Sequence, residues 1–564
     1  MAGNILTPTT IWNNFQIPSQ LSFETIGEKK ESEVLFSQIL IDGKEINGEK
    51  VKIAGLLAKR KNVTAVPAIL LVEDFNSGCD LTLIKALVKR GYSVLSIDVA
   101  GQVEGKEHYT LYPETISFAN YQTAKDNLYS VKGDVTDTCW YEWACACRYA
   151  LKFLSEQSFV TKVGGIGLGE SATIMWQVAG MDENLSCAVF ALNFGWKGYR
   201  GIYKFGGQIE PQFSDEMYKF IAGIDAQSYA MHVECPTLIL SATNSNEFDC
   251  DRAVDTAMRM ENALYKAVYY SVGYRDRVDG QAFNCVLTFF DKFLFIGGAD
   301  KKSLPSEVDI RCEVVDKKIK VTAIPDKGDV KDVYFYACEE IFVPAERAWI
   351  KVAGVKEKDG SYTFNYCPYP LSASVSFFAQ AEYNDGYSIG SAIINKKFAK
   401  EDVALKYKSK ILYSSREDGS ESQFYPVDQG KANSSPLNVN DKNKVEVKKG
   451  PMGIEGVGCK GGLLCFKFKA QKDTPPDGAL LMLDVYAKQS GSFTISLITD
   501  YFGQKKEYIA STVIKGGETW QNAKFELAKF KTTEGMTLKS YDNINALEFN
   551  FDGGEFLINN ALWV

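Results

Sequence analysis

The stretch "VGGIGLGESATIMWQVAG" at 163–180 reads as a strand, a Gly-rich turn and a helix, with Ser171 at the turn. A hydroxyl held there is a candidate nucleophile. It attacks a carbonyl only when a base with a pKa near the working pH takes its proton. The chain has two histidines, His108 and His232. His108 lies ahead of the turn, and His232 enters the strand "CPTLIL" from its starting end, so neither is expected beside Ser171. The other groups that could do chemistry are Glu73, Asp74 and Glu170, with Arg275 and Asp276 in "GYRDRVDG". Arginine stays protonated and is no base. An ordinary aspartate, with a pKa near ~4, is about three units too acidic unless strongly buried. Paired carboxylates could serve as a glycosidase acid and base or hold a metal, but no spacing here matches an established motif. "GGIGLG" likewise fails as a dinucleotide fingerprint, because no acid on a following strand completes it.

Positioning these groups requires strands ending on one edge. Residues 1 to 298 alternate strand-like runs (51–60, 68–75, 92–101, 186–196, 235–244, 265–274) with helix-like ones (79–91, 136–157, 249–264, 280–295). Thr136 or Asp137 is the expected N-cap of the 136–157 helix. Such alternation predicts a doubly wound, mostly parallel sheet covered on both faces. Open α/β sheets take ligands at the C-terminal ends of their strands, where Glu73, Asp74, Glu170, Arg275 and Asp276 would converge. Trp140 and Trp143, at i and i+3, read as a buried helix face. Trp196 and Tyr199 lie in "GWKGYRGIYKFGG", a Gly-rich segment whose rings could stack on a sugar or pack as a lid.

Beyond residue 300 the pattern turns to short alternating runs divided by turn signals such as Asn384-Asp385-Gly386, which predicts β-sandwiches. Two are expected, at 303–400 and 405–564, after an α/β unit at 1–298. The polar stretch 428–450 reads as an exposed loop.

A net charge of −8 argues against nucleic acid or an anionic membrane as partner. No apolar run reaches the roughly 20 residues that span a bilayer. The start has no basic stretch followed by an apolar run, so a cytoplasmic protein is expected, or a secreted one if the start is a trimmed one. Thirteen cysteines include no Cys-x-x-Cys, and most sit in apolar runs, which predicts reduced, buried thiols.

Residues 51–295 resemble the α/β-hydrolase superfamily, nearest its acetyl xylan esterase and dienelactone hydrolase-like branch. The matching pieces are "PAILLVEDF", "GYSVLSIDVAGQ", "GIGLGESAT", "CPTLILSATNSNEFD" and "AVYYSVGYRDRV". The resemblance implies a nucleophile on the turn, then an acid, then a histidine after the last strand. One framing puts the nucleophile position at Gly169; the alternative makes Ser171 the nucleophile, with Thr173 in the place of the last glycine. Ser245 stands at the acid position, with Asp249 or Asp251 as substitutes, and Arg275 or Asp276 at that of the histidine. Glu73-Asp74 replaces the usual His-Gly, putting two carboxylates where an oxyanion would form and opposing it.

The stretch "INALEFNFDGGEFLINNALWV" is similar to galactose-binding-like jelly rolls of carbohydrate-binding modules, and 303–400 to immunoglobulin-like modules. Tyr501, Phe502 and Trp520 are candidate sugar-stacking rings there. A structural Ca²⁺ is common in that jelly roll, but no residue cluster specifies one, and no cofactor is expected. The expected protein is therefore an α/β-hydrolase homologue without a working triad that binds a carbohydrate or a protein partner. A carbohydrate-directed esterase using Ser171 with Asp276 as base, and a structural or assembly protein, are the alternatives; the oligomeric state stays open.

Overall fold

The computed structural model describes residues 5–564 apart from 76–77, 104–105, 296–303, 327, 406–410, 417–418, 428–434, 438–443, 469 and 471–472. The expected boundary at 298–303 lies outside the described residues. Among them, no helix is long and apolar enough to cross a membrane.

The first half is built on a nine-stranded mixed sheet. Its strands are β1 (Phe23–Glu31), β2 (Val34–Ile46), β3 (Glu49–Arg60), β4 (Val66–Val72), β5 (Ser93–Ile97), β6 (Val160–Leu168), β7 (Leu185–Ala191), β8 (Thr237–Ala242) and β9 (Lys266–Ser271). They lie in the order β1-β2-β3-β5-β4-β6-β7-β8-β9. The first three pair antiparallel, β3 meets β5 antiparallel, and every pairing from β5 to β9 is parallel. The parallel strands are apolar without alternation because helices cover both faces. β8, "TLILSA", is buried at every residue.

The helices that pack against these strands include α1 (Leu81–Arg90), α2 (Cys139–Ser155), α3 (Ala172–Met181), α4 (Ala253–Arg259) and α5 (Gly280–Leu294). Asp80 caps α1 by accepting from the backbone of Thr82 and Leu83, and Gly91 closes it at φ 124°. The cap of α2 is Thr138, which accepts from Tyr141 N–H, rather than Thr136 or Asp137. Those two belong to a preceding short 3₁₀ turn, Val135–Asp137, which uses up the extended backbone an N-cap needs. Trp140 and Trp143 are buried, and each indole donates to a carbonyl, of Leu128 and Ala119 respectively.

The second half is almost wholly β. Two sheets of four and five strands follow, the larger carrying Val330–Glu339 and Ser374–Tyr383 at its centre. Two further sheets of six and five strands complete the chain, and the last strand, Phe556–Trp563, lies inside the six-stranded one. All thirteen cysteines are free thiols. The stretch 428–450 departs from an exposed loop in two places: Glu446–Lys449 is a strand, and Pro436 and Leu437 are buried. Residues 428–434 and 438–443 of that stretch lie outside the described residues.

Candidate functional site

Two glycines of β6, Gly165 and Gly167, let α3 pack against the strand. A Cβ on Gly167 would come 2.6 Å from Ala172 Cα, and one on Gly165 would meet Met175 Sδ at 2.5 Å. The chain must then reverse within one residue. Gly169 does so at φ +55°, in the left-handed region where a Cβ is costly. A Cβ at Gly169 would lie 3.4 Å from Asp74 Oδ1 and 3.6 Å from Pro436 Cγ. Ser171 faces the opposite way. It is fully buried, its hydroxyl donates to Leu168 O at 2.7 Å, and Val72 O is 3.1 Å away. Thr173 is buried too, its Oγ1 accepting from Asn193 Nδ2 at 3.0 Å.

Of the carboxylates expected to converge here, Asp74 and Glu170 flank the turn, whereas Glu73 turns away from it toward β5. Glu73 is 7% exposed and accepts from Ser96 Oγ at 2.5 Å; burial pushes its pKa up to about 7. Burial, then the nearby charge of Glu170, pushes Asp74 up to about 6. Glu170 itself is well answered. Lys197 Nζ lies 2.5 Å from its Oε1, Tyr129 donates to the same oxygen at 2.8 Å, and Asn193 Nδ2 donates to Oε2 at 3.3 Å. The Lys197 ammonium is buried 4.2 Å from the centre of the Phe248 ring, and its backbone N–H donates to Asp225. Burial raises Asp225 to about 6. Asp98 is held by Lys106 and by the backbone N–H of Thr110. Lys197, Asn193, Asp225 and Tyr129 escaped the sequence reading. Only Lys197 carried a signal, as the one cation directly after β7 in "NFGWK".

At the position of the acid, Ser245 is buried and its Oγ accepts from the N–H groups of Glu247 and Phe248, bracing its own loop. Asp251 is taken by Arg347 from the first β unit, in a fork of 2.5 and 2.7 Å with both side chains fully buried. Burial and the adjacent Asp251 charge push Asp249 up to about 7. Ligand atoms of Asp249, Cys250 and Asp251 lie within 4.8 Å of one another. The cations at this cluster are the guanidinium groups of Arg347, on Asp251, and of Arg252, 3.3 Å from Asp249, so the donor set has no spare charge for a metal.

At the position of the histidine, Arg275 Nη1 donates to Tyr501 of the last unit at 2.6 Å, while Asp276 is exposed. His108 Nε2 is 3.2 Å from Gly55 O on β3. β3 lies three strands from β6, about 14 Å at the usual spacing. His232 sits at the opposite, N-terminal edge of the sheet, where it lines a groove of about 740 Å³ with Arg148, Asp182 and Leu264.

The aromatic segment after β7 lies at the C-terminal edge, beside the loop that carries Ser245 and Asp249. Trp196 is left-handed at φ 66°, and its indole donates to Thr256. The Arg259 guanidinium lies 4.9 Å from the Trp196 ring and that of Arg252 4.7 Å from the Tyr199 ring, so arginines face both rings. Both line a recess with Ser245, Asp249 and Pro344. Its volume of about 30 Å³ is room for a water or two. The structure thus brings Asp74, Gly169 and Glu170 together, groups Trp196, Tyr199 and Ser245 separately, and turns Arg275 to the last unit.

No protein-family model and no curated protein sequence matches the chain. Solved structures with a similar arrangement include the acetyl xylan esterase from Paenibacillus sp. R4, at 14% identity and a TM-score of 0.38 over 51% of this chain and 92% of that one. The acetyl xylan esterase 1 from Thermoanaerobacterium sp. JW/SL YS485 has 14% identity and a TM-score of 0.35, over 48% and 87%. The glucuronoyl esterase from Solibacter usitatus has 11% identity and a TM-score of 0.35, over 50% and 90%. What the chain is similar to, over about half its length, is therefore a set of acetyl xylan esterases and related esterases.

Proposed function

We propose that this chain is a hydrolase-like protein that no longer hydrolyses, its α/β unit binding a carbohydrate or a protein partner. We read the two β units as an immunoglobulin-like sandwich and a jelly roll that serve the same binding role. One observation carries the reading: the strained turn that would lift a nucleophile into the cleft is Gly169, which has no side chain. The nearest hydroxyl, on Ser171, gives its proton to a main-chain carbonyl instead of a base. Asp74 beside the turn adds a reason, since a carboxylate there opposes a forming oxyanion.

The test is turnover of p-nitrophenyl acetate by the full chain and by Ser171→Ala. The expected result is a rate equal to that of heat-denatured protein for both. Turnover that Ser171→Ala abolishes would overturn the reading in favour of an esterase using Ser171, with Asp276 as its base. Retention on a polysaccharide affinity gel separates a carbohydrate binder from a protein binder or an assembly component.

A further inference from the structure

Pro436 and Leu437 belong to the C-terminal β unit by sequence but not by packing. Leu437 is 0% exposed and joins the apolar core of the α/β and first β units, not that of the sandwich whose strands flank it. The backbone is engaged as well: Val278 N–H donates to Pro436 O at 2.8 Å, and Val278 and Leu437 form a parallel bridge. Val278 lies just after the Arg275-Asp276 loop, and Pro436 Cγ is 3.6 Å from the point where a Cβ of Gly169 would be. Residues 435–437 therefore fill the space between the turn after β6 and the loop after β9, where a substrate would sit if this edge were catalytic. Buried side chains together with main-chain hydrogen bonds are how docked extended peptides are recognised; here the main-chain part is one isolated bridge.

We propose that the cleft above Gly169 is a recognition site for an extended peptide carrying a Pro-Leu pair, and that residues 435–437 occupy it in cis. An external segment of the same chemistry competes with the chain's own. The proposal rests on the reading of this cleft as a binding site rather than a catalytic one.

The experiment is hydrogen exchange on the full chain, on a variant with residues 435–437 replaced by Gly-Ser-Gly, and on the milder Leu437→Ala should the replacement unfold. Protection in Leu481–Ala487, a strand paired on both sides in the six-stranded sheet, reports folding in each. The expected result is exchange at 276–280 faster by about tenfold or more in the variants. A synthetic peptide of residues 431–441, at the millimolar level that a tethered segment supplies, restores the protection. The same peptide carrying Pro436→Gly and Leu437→Asp does not. Unchanged exchange at 276–280 in folded variants overturns the proposal, as does a native peptide that protects no better than the altered one. Ester turnover measured alongside keeps the two readings separable: turnover abolished by Ser171→Ala ends the non-catalytic reading and leaves the exchange result to stand or fall alone.

Discussion

Glu73 reports its environment through pH. Its carboxyl is buried behind Ser96 and titrates near pH 7, whereas an unfolded glutamate titrates near 4.5. The folded chain thus prefers the protonated form. The contribution of this group to stability is complete below pH 4.5 and is lost as pH rises through 7. Glu73→Gln keeps an acceptor for Ser96 and cannot ionise, so it should remove that loss. Between pH 5 and pH 8, the fall in unfolding free energy should be about 3 kcal/mol smaller in the variant, on the order of two to three pKa units of linkage. Urea titrations at the two pH values check this; equal falls in the two proteins would mean that Glu73 is ionised in the fold at pH 7. Asp74, Asp225 and Asp249 titrate upward in the same sense, so the remaining dependence should keep its sign in the variant.

The turn after β6 was legible in the sequence because its constraint is local. Gly165 and Gly167 in "VGGIGLG" announce a strand on which a helix sits closely, and Gly169 stands where the backbone reverses. Gly167→Ala should cost about 1–3 kcal/mol, read as a shifted urea midpoint, because its new methyl meets Ala172 Cα in the backbone of α3 rather than a side chain that can swing away. A cost below about 0.5 kcal/mol would show that α3 moves freely over the strand. What could not be read depends on pairs distant in the chain. Lys197 looks like a solvated cation until Glu170, 27 residues earlier, and Asp225, 28 later, close around it. Residues 435–437 lack apolar periodicity, so nothing local marks them as buried; their partner is an isolated bridge at Val278, in the loop before α5. The first turn of α2 was missed by one or two residues because Thr136, Asp137 and Thr138 are equally good caps by type. The short 3₁₀ turn before the helix decides among them.

The α/β unit and the first β unit are joined by groups that the isolated sheet could not satisfy. Asp251 and Arg347 are each fully buried, 96 residues apart, and answer one another with two hydrogen bonds. Around them, Asn244 Nδ2 donates to Arg347 O, and Tyr425 from the last unit donates to the same carbonyl. The loop after β8 is thus an inter-unit joint, and its Asp251 neutralises a structural arginine. A joint of this kind is weak evidence for net stability but strong evidence for dependence between partners. Arg347→Met leaves a buried, unpaired carboxylate, and Asp251→Leu leaves a buried, unpaired guanidinium, so each should cost about 3–5 kcal/mol. The double variant buries apolar groups of similar volume with no stranded charge and should recover most of that loss. A urea-denaturation cycle over the four proteins measures the coupling directly. If the two single losses simply add in the double variant, the pair does not act as a unit, and the acid loop is free to take up a charge from outside the chain.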